Sequence, residues 1–129
     1  MIVADASVLI AHLDANDVHH GRAGILLEAA ALMPLRASTI TLAEVLAGPA
    51  RSGRIEQARK ALRTLDVREL TLEEGSAPRL AALRAETGLK LPDCCMLLAG
   101  LESGAQGIVS FDDRLVAAAA QRGLAWSER

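Results

Sequence analysis

Short apolar runs recur along the chain, and each is followed by a longer segment whose apolar residues have helical spacing. A short run without polar alternation is typical of a parallel strand buried on both faces. The predicted strands are 2–4, 35–38, 67–70, 107–111 and 124–126. Alternation of strands with helices predicts a three-layer α/β/α domain with a central, mostly parallel sheet, formed by residues 1–129 as one domain.

Capping and stop signals give the expected helix boundaries. The first helix follows Asp5 with Ser7 as a capping residue, and the second runs over 18–32 behind an Asn16-Asp17 cap. The third is expected to stop at Gly48-Pro49, and the fourth covers 54–65. A capping box at Thr71-x-x-Glu74 predicts the start of a helix that extends to 86. A second box, Ser110-x-x-Asp113, predicts the start of an Ala-rich helix near the carboxyl end. Between these two, a further helix follows Leu91-Pro92-Asp93.

Four acidic residues stand where predicted strands end or where the next helices begin. Asp5 and Asp112 follow strands, whereas Glu44 lies in the early part of an apolar helix and Asp93 in the first turn of another. Because right-handed crossovers bring the carboxyl ends of parallel strands to one edge of the sheet, all four carboxylates are expected at that edge.

Helix capping is the competing explanation for each acid taken singly. Thr41 and Glu44 have capping-box spacing, and an anion in the first turn, such as Asp93, is favoured by the helix dipole. Each helix needs only one cap, however, and Ser38 or Thr39 is a better placed cap for the third helix. Asp113 has an adequate structural role in the Ser110-x-x-Asp113 box, so it is a supporting residue, and Asp112 remains free for a site.

Four converging carboxylates would repel one another and take up protons unless a cation were present. Ligands that are all oxygens suit Mg²⁺ or Mn²⁺ better than Zn²⁺. Such ions support phosphodiester hydrolysis, because they bind phosphate, lower the pKa of water and stabilise a leaving oxygen. The sequence therefore predicts a metal-dependent phosphodiesterase site.

Composition changes this picture little. The chain has 129 residues, a net charge of −2 and only one Phe and one Trp, so neither charge nor aromatic stacking supports nucleic-acid binding by itself. Arg51 and Arg54 lie in the most basic segment and are candidate RNA contacts, as is Arg114.

The apolar segments are too short to span a bilayer, which predicts a cytoplasmic protein. Cys94 and Cys95 are adjacent on a predicted helix, so they diverge and are expected to be free thiols in a reducing compartment. Adjacent His19 and His20 also point apart, which favours surface or supporting roles over a metal cluster.

The motifs carrying the acids resemble those of the PIN-domain ribonucleases, specifically the VapC toxins of bacterial toxin-antitoxin pairs. They are Asp5-Ala-Ser7, Glu44 within Thr-Leu-Ala-Glu-Val, Leu-Pro-Asp93, and Ser110-Phe-Asp112-Asp-Arg-Leu115. The resemblance covers the chain in order. It implies that Asp5, Glu44, Asp93 and Asp112 bind Mg²⁺ or Mn²⁺, that Ser7 and Ser110 support them by hydrogen bonding, and that the substrate is RNA.

The same resemblance implies a homodimer and a VapB-type antitoxin that blocks the acidic site. A haloacid-dehalogenase-like phosphatase would need a second carboxylate where Ser7 stands, and a receiver domain would need an acid pair that the chain lacks. The remaining alternative is a non-enzymatic α/β binding module whose acidic pocket docks a basic peptide.

Overall fold

The computed structural model describes residues 1–127, and within them the chain forms four strands and seven helices. The strands are β1 (Ile2–Ala4), β2 (Leu35–Ser38), β3 (Arg68–Leu70) and β4 (Gly107–Val109). The helices are α1 (Ala6–Leu13), α2 (His20–Ala30), α3 (Thr39–Arg51), α4 (Ile55–Thr64), α5 (Ala77–Thr87), α6 (Leu91–Glu102) and α7 (Asp113–Ala120).

All neighbouring strands pair in parallel, in the order β3-β2-β1-β4. The chain builds outward from β1 through β2 to β3 and then crosses back, so β4 lies on the other side of β1. Opposite winding on the two sides of a strand opens a crevice at its carboxyl end. The end of β1 beside the end of β4 is therefore the expected ligand position, and Asp5 N–H donates to the Val109 carbonyl there at 2.9 Å.

Alternate side chains of β1 face two separate cores, as expected for a strand buried on both faces. Ile2 and Ala4 pack with buried residues of α1 to α4, whereas Val3 packs with buried residues of α5 to α7. This arrangement confirms the predicted three-layer α/β/α architecture. Among residues 1–127 no helix is both long and apolar enough to cross a membrane.

Several predicted boundaries are wrong. α2 begins at His20 after His19, and the Asp17 side chain instead accepts the His19 N–H. α3 continues through Pro49 to Arg51, because a proline in the last turn removes only a donor near the end of the helix.

The predicted capping box at Thr71 and Glu74 does not form. A turn at Gly75, where φ is +86°, delays α5 until Ala77, and Ser76 stands at its N-cap. The predicted helix end at Gly88 is confirmed, with Gly88 in the left-handed conformation.

β4 ends at Val109, two residues earlier than predicted, and 124–126 is not a strand. Ile108 N–H donates to the Leu124 carbonyl at 3.3 Å, but the segment then passes close over Gly107. A Cβ at Gly107 would lie 2.3 Å from the Trp126 Cβ, so only glycine permits this approach. The sequence after Trp126 is polar, and its last two residues, 128–129, lie outside the described part of the chain.

Candidate active site

Asp5 is the most enclosed of the four predicted acids. It follows β1 at the N-cap position of α1, and only 8% of its surface is exposed. Ser7 Oγ and Ser110 Oγ each donate to Asp5 Oδ2 at 2.7 Å. Ser7 does not cap α1 as predicted; it lies inside the helix and points back at Asp5. We call Asp5, Ser7 and Ser110 the inner cluster.

The inner cluster ties β1 to the loop between β4 and α7. Ser7 Oγ accepts the Phe111 N–H at 3.1 Å, and Ser110 Oγ accepts the Asp112 N–H at 2.9 Å. Each serine therefore donates to Asp5 and accepts from the loop. This pattern fixes Asp5 Oδ2 while leaving Asp5 Oδ1 without a hydrogen-bond donor among residues 1–127.

Asp112 is the N-cap of α7, which corrects the expectation that Ser110 and Asp113 would form the box. Asp112 Oδ1 accepts the N–H groups of Arg114 and Leu115 at 3.0 and 3.3 Å. The Ser110 hydroxyl is engaged with Asp5 and with the Asp112 N–H, and the helix begins at Asp113 behind the Asp112 cap. Asp112 Oδ2 is still available to a cation, so capping and ligation are compatible at this residue.

Glu44 and Asp93, which we call the outer pair, do not cap their helices. Ser38 Oγ takes the capping N–H of Thr41 at 3.2 Å, so Glu44 does not reach back to the start of α3. The N-cap of α6 is Lys90, without a side-chain cap bond. Within the described chain, neither carboxylate of the outer pair accepts a protein hydrogen bond. The helices that carry the pair, α3 and α6, pack on each other.

Electrostatics shows that the outer pair faces the inner cluster. Partial desolvation, followed by repulsion from Asp5, raises the pKa of Glu44 above its usual range. Desolvation also raises the pKa of Asp93, with repulsion from Asp5, Asp112 and Glu44 adding to it. Asp93 therefore lies within electrostatic reach of the other three predicted acids, and Glu44 lies within reach of Asp5 and Asp93.

A divalent cation fits the chemistry of these donors without a preformed cage. Only carboxylate oxygens converge, several of them lack hydrogen bonds, and their mutual repulsion favours a bound positive charge. In the described residues, however, no three His, Cys, Asp or Glu side chains are grouped closely enough to form a ready metal cluster. The fit rests on charge and donor type, and closure around an ion requires side-chain movement.

Sequence reasoning missed three residues near this site. Lys90 lowers the pKa of both Glu44 and Asp93, against the larger raising effects. The sequence signal that could have indicated Lys90 as a site residue is its position three residues before Asp93. Phe111 and Arg22 form a stacked pair beside the inner cluster, and Arg22 could not be found from the sequence because it lies on α2, far from every motif.

The predicted RNA contacts are dispersed. Arg114 follows Asp112 at the start of α7 and is exposed at the site edge. Arg51 lies seven residues after Glu44, about 10 Å along α3, and Arg54 follows it at the start of α4. Arg114 is therefore close to Asp112 in the chain, but its guanidinium lies near Gly88. Contacts of Arg51, Arg54 and Arg114 with RNA stay predictions.

The neighbouring His side chains contact aromatic rings, and the neighbouring Cys side chains are free thiols. The His20 ring is parallel to His12 at 6.2 Å, and the His19 ring lies 5.3 Å from Phe111. Cys94 and Cys95 are free thiols as predicted, although Cys95 is only half-buried.

Comparison with known proteins identifies the family. The sequence profile of the PIN domain matches residues 2–121. The chain belongs to the PIN-domain family. A search among curated proteins finds no significant match.

Solved structures share this PIN fold at low identity. VapC20 of Mycobacterium tuberculosis, a toxin that cleaves the sarcin–ricin loop, is 18% identical with a TM-score of 0.75, over 100% of both chains. A toxin-antitoxin complex from Klebsiella pneumoniae is 23% identical with a TM-score of 0.70, over 87% of each chain. PAE2754 from Pyrobaculum aerophilum is 18% identical with a TM-score of 0.59, over 92% of this chain and 84% of that one. These likenesses support the fold.

Proposed function

We propose that this PIN domain is a Mg²⁺- or Mn²⁺-dependent ribonuclease that acts in the cytoplasm as the toxin of a toxin-antitoxin pair. The observation that carries the proposal is the set of four carboxylates near the β1 and β4 ends, where desolvation, with repulsion between the acids adding to it, raises the pKa of Glu44 and Asp93. Membership of the PIN-domain family and the resemblance to VapC toxins support the same assignment.

Asp5, Glu44, Asp93 and Asp112 would hold the ion, which when bound supplies charge neutralisation at a phosphate and an acidified water. Ser7 and Ser110 hold Asp5 Oδ2, so that Oδ1 is presented in a fixed direction. The main-chain donors of Arg114 and Leu115 hold Asp112 Oδ1 in the same way. Lys90 offsets part of the negative charge that would otherwise repel an RNA backbone.

The decisive test compares the wild-type chain with Asp93→Asn on single-stranded RNA. The variant keeps side-chain size and removes one charge that makes no protein hydrogen bond, so the fold should persist. We expect cleavage with Mn²⁺ or Mg²⁺ to fall by more than about 100-fold in the variant, and wild-type cleavage to stop in excess chelator.

An Asp5→Ala variant purified in parallel controls for contaminating nuclease. Persistence of cleavage in Asp93→Asn, or in chelator, would refute the metal-dependent mechanism. Absence of cleavage by the wild-type chain, with tight binding of a basic peptide, would favour the alternative of a non-enzymatic binding module.

The proposed partner is a VapB-like antitoxin that carries an Arg or Lys into the acidic site. Guanidinium groups pair bidentately with carboxylates and would compete with a metal. Beside the outer pair, Ile40 and Leu91 are 39% and 51% exposed, and Ile40 lines a mostly apolar cavity of about 220 Å³ with Ala43, Leu70, Leu72 and Cys95. An antitoxin segment could place apolar side chains there and order on binding.

Co-expression with the adjacent small open reading frame tests this partner. We expect co-purification and relief of growth arrest, with high salt weakening the ionic part of the complex. Equal growth with and without that neighbour, and purification of the chain alone, would remove the toxin-antitoxin assignment while leaving the nuclease intact. The resemblance to VapC toxins also implies a homodimer, and light scattering during size-exclusion chromatography measures the oligomeric state that tests it.

A further inference from the structure

The first turn of α2 packs on the loop that carries Ser110 and Asp112. The Arg22 Cζ lies 4.7 Å from the centroid of the Phe111 ring, and the His19 ring lies 5.3 Å from the same ring at an angle of 44°. A cation over an aromatic face at this distance is attracted by the ring quadrupole. α2 thereby holds a guanidinium beside the acidic site.

Phe111 joins this pair directly to the inner cluster. Its N–H donates to Ser7 Oγ, and its chain neighbours are Ser110, which holds Asp5, and Asp112, which caps α7. The main chain at Phe111 is therefore held by the same serine that holds Asp5. Arg22 contacts the ring of a residue that lies between Ser110 and Asp112 in the chain, although Arg22 comes from a distant segment.

The charge of Arg22 is not used within the described protein. Arg59, Arg68, Arg79 and Arg122 each form an ion pair, whereas Arg22 is exposed and has neither a carboxylate within 4.0 Å nor a side-chain hydrogen bond among residues 1–127. Contact with an aromatic ring makes no conventional hydrogen bond, so the N–H donors of the Arg22 guanidinium stay available. Those donors match the two oxygens of a phosphate.

We propose that Arg22 is a substrate-binding residue that grips a backbone phosphate of single-stranded RNA next to the acidic site, with Phe111 as its platform. This inference rests on the proposed function, because it assumes that RNA enters at the four carboxylates. Those carboxylates repel a polyanion, so a preorganised cation at their border supplies the attraction that they lack. A phosphate contact of this kind positions the strand and reads no base.

The test uses two variants of Arg22. Arg22→Met keeps apolar contact with Phe111 but removes the charge. Arg22→Lys keeps the charge but loses the planar guanidinium that can donate two parallel hydrogen bonds. Arg63→Met is the matched control, because Arg63 is exposed in the last turn of α4, shortly before the amino end of β3 and hence at the opposite edge of the sheet. We expect Arg22→Met to raise KM about tenfold with kcat nearly unchanged, Arg22→Lys to recover part of that loss, and Arg63→Met to change neither.

A binding measurement that does not depend on cleavage accompanies the kinetics. Anisotropy of a labelled single-stranded RNA in chelator should show weaker binding to Arg22→Met, with the slope of log Kd against log salt reduced by roughly 0.7. The pH profile of cleavage should keep its shape, because Arg22 is not among the charges that shift the pKa of Glu44 or Asp93.

Outcomes separate this inference from the proposed function. Cleavage by the wild-type chain with unchanged KM and salt slope in Arg22→Met would overturn the inference alone. If the wild-type chain does not cleave RNA, the proposed function fails, and equal RNA binding by wild type and Arg22→Met would overturn the inference as well. Equal losses of melting temperature and activity in Arg22→Met and Arg22→Lys would show that Arg22 has a packing role. Loss of partner binding with normal RNA binding would show that Arg22 contacts a protein. Either result would overturn the inference that Arg22 binds RNA.

Discussion

The inner cluster and the outer pair place carboxylates at the same sheet edge in opposite ways. Asp5 is buried, and two serine hydroxyls donate to its Oδ2. Glu44 and Asp93 are more open, yet within the described chain they have no hydrogen-bond donor, and their pKa values are raised. Burial alone therefore does not decide the cost of a carboxylate. The fold supports the charge of the first acid with hydrogen bonds and disfavours the charged forms of the other two.

The largest effect should come from breaking the inner cluster. Asp5→Ala leaves the partly buried hydroxyls of Ser7 and Ser110 without their acceptor, which we expect to cost about 1–3 kcal/mol of folding stability. Asp5→Asn keeps an acceptor oxygen and should cost less. Urea denaturation of the metal-free protein measures both. Asp93→Asn is the comparison from the outer pair, and an equal loss there would abolish the distinction between the two groups.

Asp112 lies between these groups and gives the next effect. Because it caps α7, Asp112→Ala should destabilise the protein by about 0.5–2 kcal/mol, whereas Asp112→Asn should be nearly neutral, since Asn caps as well as Asp. Both variants should lose cleavage. Asp113→Ala is the matched control, because Asp113 interacts with α7 only through the helix dipole and its loss should cost at most about 1 kcal/mol. A larger loss in Asp113→Ala than in Asp112→Ala would contradict the observed cap.

These residues also show what could be predicted from the sequence. The strand-end positions of Asp5 and Asp112 follow from apolar runs and from the geometry of parallel crossovers, so the shared sheet edge was predictable. The identity of the cap on α7 was not. The Ser110 hydroxyl is engaged with Asp5, which is remote in sequence, and a local template such as Ser110-x-x-Asp113 does not contain that contact.

Contacts between distant segments were equally beyond local patterns. The stacking of Arg22 on Phe111 and the position of Lys90 near both members of the outer pair result from packing of α2 on the β4 loop and of α3 on α6. Gly107 gives a further case, because its need for a bare Cα arises only from the passage of Trp126 over it. In each case the determining neighbour is remote in sequence.

The smallest effect concerns the pH dependence of the outer pair in metal-free protein. A raised pKa means that the folded chain binds these protons more tightly than the unfolded chain does. Their contribution is therefore most favourable when both groups are protonated, and it declines as pH rises from the ordinary carboxyl pKa to the raised value. Glu44→Gln removes one charge, so its melting temperature relative to wild type should increase across that interval and stay constant above it.

Calorimetric scans in chelator between about pH 4 and pH 7 measure this difference. Glu74→Gln, in the loop before α5 and outside the site, is the matched control, and its melting temperature relative to wild type should change little with pH.

Adding Mn²⁺ at pH 7 should stabilise the wild-type chain more than Glu44→Gln, because the ion binds the folded form through the charge that the variant lacks. A pH-independent difference between Glu44→Gln and wild type would mean that Glu44 is solvated like any surface acid. The carboxylates at the sheet edge would then repel one another too weakly to favour a metal.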